Sequence, residues 1–189
     1  LERWLVRDAC GPAAEAPIHC LMVLGAYYAE NAKEEQLESL LGEIRTDAGG
    51  TGADIEIPPS RMLTVAADAI DAYGWARNGN PVEREEAILQ LRDLAGTGLS
   101  PSVWVRWWLG ELYMEDGRPG DAVVYLESLR GAGVPYVGNF LLGRAYTELG
   151  EREKARDAYV RFLQAWEEAD PDRPQLEEAR AALEELLAG

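Results

Sequence analysis

Leu-Gly-x-x-Tyr occurs three times in this chain, as Leu24-Gly25-x-x-Tyr28, Leu109-Gly110-x-x-Tyr113 and Leu142-Gly143-x-x-Tyr146. Twelve residues after each glycine stands a small or aliphatic residue, Leu37, Ala122 or Ala155. Four further on comes a larger apolar one, Leu41, Leu126 or Tyr159. Four offsets kept in three places define a repeat. Each unit of a repeat chain buries its apolar face against its neighbours, so stacked units and an extended surface are expected, and surfaces of this kind bind other proteins.

The apolar periodicity is helical nearly everywhere. Ile18, Leu21, Leu24, Gly25 and Tyr28 share one side of a helix over 17–30, and Leu37, Leu40, Leu41 and Ile44 one side of a helix over 34–45. The Gly49-Gly50-Thr51-Gly52 run and Pro58-Pro59 mark 46–59 as an inserted loop, with a short extended piece at Ile55-Glu56-Ile57. Ser60 reads as the N-cap of a long helix carrying Met62, Val65, Ala66, Ala69, Ile70 and Tyr73. Pro81, Pro101 and Pro119 suit first helical turns, and Gly96, Gly98, Gly117 and Gly150 punctuate helix ends. The fold expected is all-α, with antiparallel hairpins at about 17–45, 60–95, 101–131 and 135–168 and a capping helix over 174–188. Residues 1–9 read as the tail of a preceding helix. A chain that opens on Leu1 in mid-pattern is expected to be a piece of a longer protein.

Acidic residues number 34 against 18 basic ones, a net charge of −16. That field repels phosphate backbones and argues against nucleic-acid binding; a solvated acidic surface accounts for it. No apolar run approaches the roughly 18–20 residues a membrane span needs, so no insertion by this chain is expected. Cytoplasmic placement is the expectation, with an extracytoplasmic one open if a span lies upstream. Cys10 and Cys20 are too few for a disulfide scaffold, and their spacing with His19 fits no familiar zinc pattern, so they read as small buried or half-buried thiols.

A helix-turn-helix unit with Leu-Gly-x-x-Tyr in its first helix and alanine twelve residues on resembles the tetratricopeptide repeat. The resemblance implies a tetratricopeptide-like α-solenoid in which glycine admits the second helix, tyrosine fills the gap and alanine sits at the crossing point. The tags lie 85 and 33 residues apart, leaving room for a middle unit without a tag, in which Ala87, Leu91 and Leu94 keep the second-helix pattern. Residues 136–187, with Lys154-Ala155-Arg156-Asp157-Ala158-Tyr159 and Ala169-Asp170-Pro171-Asp172, are similar to the C-terminal tetratricopeptide region of large bacterial signalling proteins. Those proteins are serine/threonine kinases or transcriptional regulators. That similarity implies sensing or docking and carries over no catalytic residue.

The segment richest in chemistry is Trp104-Val105-Arg106-Trp107-Trp108-Leu109-Gly110-Glu111. Trp104, Trp107, Trp108 and Glu111 share one helical stripe, away from Leu109, Gly110 and Tyr113. In a tetratricopeptide arrangement part of that stripe faces the concave groove, where tryptophan suits a binding hot spot; packing between repeats is the alternative. Met22, Phe140 and Arg144 hold equivalent positions in the flanking units, and Arg106 and Arg144 have the geometry to grip a carboxylate. Gly49 to Gly52 lacks the lysine of a phosphate loop, and His19 has no nucleophile placed for it to activate. No enzyme, metal or cofactor is therefore expected. The expected function is binding of a protein, a peptide or another domain of the parent chain. Homo-oligomerisation is the alternative, and a small-molecule sensor a weaker one.

Overall fold

The computed structural model describes residues 17–50, 59–130, 137–167 and 173–188. Among them lie nine α-helices and no strand: α1 (Ile18–Glu30), α2 (Glu34–Gly50), α3 (Pro59–Asn78), α4 (Pro81–Ala95), α5 (Pro101–Glu115), α6 (Pro119–Glu127), α7 (Val137–Glu148), α8 (Arg152–Ala165) and α9 (Pro174–Ala188). The all-α class is as the periodicity predicts, and the contacts between neighbouring helices are those of a tetratricopeptide-like solenoid.

Two boundaries differ from expectation. Helix α2 continues to Gly50, so Thr46–Gly50 is helical rather than loop. Ile44 is fully buried beneath it and the Thr46 hydroxyl donates to the Gly42 carbonyl at 2.7 Å, which together offset a glycine cost of about 1 kcal/mol each. Helix α3 starts at Pro59, so Ser60 lies inside the first turn instead of capping it. Ile55-Glu56-Ile57 and residues 1–9 lie outside the described residues. At α4 the expected start is realised in full. The Asn80 carboxamide oxygen accepts from Val82 N at 2.9 Å and Glu83 N at 3.2 Å, while Glu83 accepts from Asn80 N at 2.8 Å.

The chain divides into two compact units, Leu1–Val105 and Arg106–Gly189, with the boundary inside α5. In the second unit α7 packs on α6 and α8, and α9 packs on α8. The tag glycines there act as notches. A Cβ on Gly110 would stand 2.5 Å from Leu126 Cδ2, and one on Gly143 would stand 2.6 Å from the Tyr159 ring. Each notch is filled by the residue sixteen positions on, the spacing of the sequence repeat.

The first unit is built differently. Helix α3 is its centre and packs on α1, α2 and α4. The notch at Gly25 receives Ile70 of α3, whose side-chain atoms stand nearest an added Cβ, the first at 2.6 Å, where the repeat spacing points to Leu41 of α2. Leu37 of α2 lies 3.0 Å from where a Cβ would stand on Gly74 of α3. Helix α3 thus wedges against both members of the first hairpin, and its alanines allow it. Ala66, Ala67, Ala69, Ala72 and Ala76 are all buried, and without bulk on those positions the helix axes come close.

All three tags end alike. The N–H groups of Lys33, Arg118 and Glu151 donate to the carbonyls of Tyr28, Tyr113 and Tyr146, at 2.9, 2.8 and 2.9 Å. The residue before each donor is left-handed: Ala32 at φ 50°, Gly117 at 67° and Gly150 at 72°. This is the Schellman ending, which closes an orphan carbonyl and needs one residue with positive φ. The tag therefore has a further offset, seven residues past its glycine, and alanine occupies it once.

Candidate functional site

Helix α3 carries its apolar residues on the inward side, with Leu63, Ala66, Ala69, Ile70 and Tyr73 buried. Trp75 falls outside that stripe and is 52% exposed, the only tryptophan among the described residues left so open. Asp68 and Asp71 precede it by seven and four positions, which sets the three on one face of the helix.

Two concavities meet at that indole. One, of about 450 Å³, lies between α2, α3 and the start of α4, with Leu37, Leu41 and Gly74 among its apolar lining and Glu34, Glu38, Asp71 and Glu83 contributing carboxylates. The other, of about 320 Å³, lies between α3 and α4 and is lined by Asp68, Asp71, Trp75, Gln90, Asp93 and Leu94. Neither lining contains a lysine or an arginine. Arg45 of α2 reaches Asp71, 2.6 Å away, and both side chains stay partly in solvent. Its worth as a surface ion pair is below about 1 kcal/mol, so the bond marks a place that accepts a guanidinium more than it stabilises the fold.

The half of α3 that carries Trp75 is held from below. The Tyr73 hydroxyl donates to Glu30 of α1 at 2.8 Å and accepts from Arg77 Nε at 3.0 Å, with the guanidinium over the Tyr73 ring at 5.2 Å. The Asn78 amide donates to the Ala29 carbonyl at 3.0 Å, and Arg84 donates to the Ala76 carbonyl at 2.6 Å, which ties off the helix end. With the helix end so tied, a ligand meets little backbone ordering cost there.

Three of the residues the sequence singles out lie in the core. Met22, Trp108 and Phe140 are core residues at 0%, 1% and 5% exposure, and burial removes all three from any binding surface. Phe140 packs against Phe162 and Tyr159, ring centroids 5.3 and 6.4 Å away. Trp104, Arg106, Trp107 and Glu111 are half-buried on α5. Arg144 is exposed, and the carboxylate beside it is the chain's own Glu178 on α9, at 3.6 Å. His19 is exposed, and Cys20 is disulfide-bonded rather than a free thiol; Cys10 lies outside the described residues. A helical stripe marks the apolar face and so does not point to Trp75. Its signal was the reverse: an indole on the polar face, between aspartates.

In the second unit the Tyr146 hydroxyl donates to Glu127 of α6. Burial, then this bond to a carboxylate, pushes its pKa up to about 12. Tyr159 is also raised, chiefly by burial. No group of three or more His, Cys, Asp or Glu side chains able to hold a metal occurs among the described residues, and no helix there is long and apolar enough to cross a membrane.

Residues 139–168, which span most of α7 and all of α8, match the family model described as tetratricopeptide repeat. The match contains the third tag with Ala155 and Tyr159 and supports a tetratricopeptide-repeat protein. No curated protein and no solved structure matches the chain.

Proposed function

We propose that this chain is a non-enzymatic module that binds a peptide or a partner domain on its helical-repeat surface. Repeats of the tetratricopeptide family generally serve protein–protein interaction or scaffolding, and the match over 139–168 supports that role here. The observation that carries the reading to a place is Trp75, a large amphipathic side chain held open on a rigid helix between two grooves. Indoles so placed supply wide contact area at low entropic cost, which is why they recur at interface hot spots. The regulatory setting proposed for the module rests on the sequence resemblance of residues 136–187 to the C-terminal regions of bacterial signalling proteins.

Selection from a random-peptide display library on the folded chain tests this. The expected result is enrichment of peptides that bind with micromolar or better affinity and protect helical amides from exchange on binding. Failure to enrich any peptide, together with reversible self-association in sedimentation, would turn the assignment to homo-oligomerisation.

A further inference from the structure

We propose that the Trp75 face takes a cationic segment of a partner protein, with an arginine or lysine laid on the indole and its neighbours in the two grooves. The inference rests on the protein-binding reading and states the chemistry of the occupant. Glu34, Glu38 and Glu83 lie on one side of the indole, Asp68 and Asp93 on the other, with Asp71 shared. Asp71 and Glu83 already hold Arg45 and the Asn80 N–H, but an apolar or acidic peptide seated there would strip water from Glu34, Glu38, Asp68 and Asp93 and return nothing, which costs several kcal/mol per fully buried ion. A basic peptide pairs them as it covers them. The exposed ring adds attraction of its own, since tryptophan presents the most favourable aromatic face to a cation.

The chain already shows one guanidinium in this setting, Arg45 against Asp71 at 2.6 Å. A compact metal ion is a poorer fit, because the carboxylates are strung along the grooves and no metal-holding group forms among the described residues. A polyphosphate or nucleic-acid backbone is repelled outright. What remains is an extended cation, with charges spaced along a chain.

The test uses a fluorescein-labelled peptide, Gly-Arg-Arg-Gly-Arg-Arg-Gly, titrated with the whole chain and followed by anisotropy at about 0.15 M salt, where diffuse attraction is screened beyond about 8 Å. Trp75→Ala leaves the net charge untouched and is expected to weaken binding about tenfold, the loss of one desolvated cation–π contact of about 1.4 kcal/mol. Glu38→Gln with Asp68→Asn is expected to weaken it further. Glu184→Gln with Glu185→Gln, the same charge change on α9, is expected to leave the affinity within about twofold. Circular dichroism of each variant confirms that the helices persist. Equal losses from the α9 pair and the groove pair, or wild-type affinity in Trp75→Ala, would mean a diffuse acidic field and overturn the site. Library peptides that bind regardless of Trp75 would retain the module and remove only this occupant, whereas a chain that binds no peptide loses both.

Discussion

The two units solve the same packing problem with the same tag and different partners. In the second, Gly110 and Gly143 admit Leu126 and Tyr159, each sixteen residues on, so each hairpin closes on itself. In the first, the side chain nearest Gly25 is Ile70, forty-five residues on, in place of Leu41 at the sixteen-residue spacing. The longer closure costs only about 1 kcal/mol more in chain entropy, little beside the burial of an isoleucine. A glycine in a helix therefore specifies a notch, and which helix enters it is settled by what else fits. Helix α3 fits because its alanines let it approach α1 and α2 at once.

The largest effect that can break this contrast is a cavity at the centre of the first unit. Ile70→Ala is expected to lower stability by about 2–5 kcal/mol, with α1, α2 and α3 losing amide protection together. Leu126→Ala should cost a comparable amount, but hydrogen exchange should localise it to α5 and α6. Protection lost only from α1 and α2 in the first variant would mean that their hairpin closes without α3.

Overpacking the notches comes next. Gly25→Ala and Gly143→Ala are each expected to destabilise by about 1–3 kcal/mol, because Ile70 is β-branched and the Tyr159 ring is rigid. Gly110→Ala should be milder, since Leu126 has more freedom to turn aside. Double-mutant cycles by denaturant unfolding sharpen the comparison: Ile70→Ala should relieve Gly25→Ala, and Leu41→Ala should not. Relief from Leu41→Ala would restore the sixteen-residue rule to the first unit.

The turns yield a smaller contrast. Ala32 holds the left-handed position that glycine fills at Gly117 and Gly150, at φ 50°, 67° and 72°. Ala32→Gly is expected to raise stability by about 0.5–1 kcal/mol, and Gly150→Ala to lower it by about as much, read from thermal midpoints. A destabilised Ala32→Gly would show that the strain is relieved by a neighbour.

The last contrast is confined to alkaline pH. Tyr146 titrates at about 12 in the fold against about 10 when unfolded, so its contribution is complete below about pH 10 and is lost as pH rises towards 12. Tyr146→Phe should flatten that limb of the unfolding curve, and an unchanged limb would place the alkaline sensitivity elsewhere.

Where each helix lies was legible because caps, turns and 3.6-residue periodicity are local signals. Pro81 behind Asn80 and the glycines at 117 and 150 act within a few residues of themselves. The proposed binding surface was not legible in the same way. The tryptophan stripe on α5 was a correct helical face, yet Trp108 is in the core, and Phe140 and Met22 followed it there. Shared facing on one helix says nothing about which neighbour covers the face. The openness of Trp75 is equally non-local, since it follows from α2 and α4 standing on either side of α3 without closing over it.

From its residues alone this chain had to be helical, repeated and punctuated at its glycines, because hydrogen bonding within a helix and left-handed turn geometry depend on near neighbours. Only the tertiary structure decided that α3 fills the first notch and that an indole stands among carboxylates, because packing selects among partners far apart in sequence by shape.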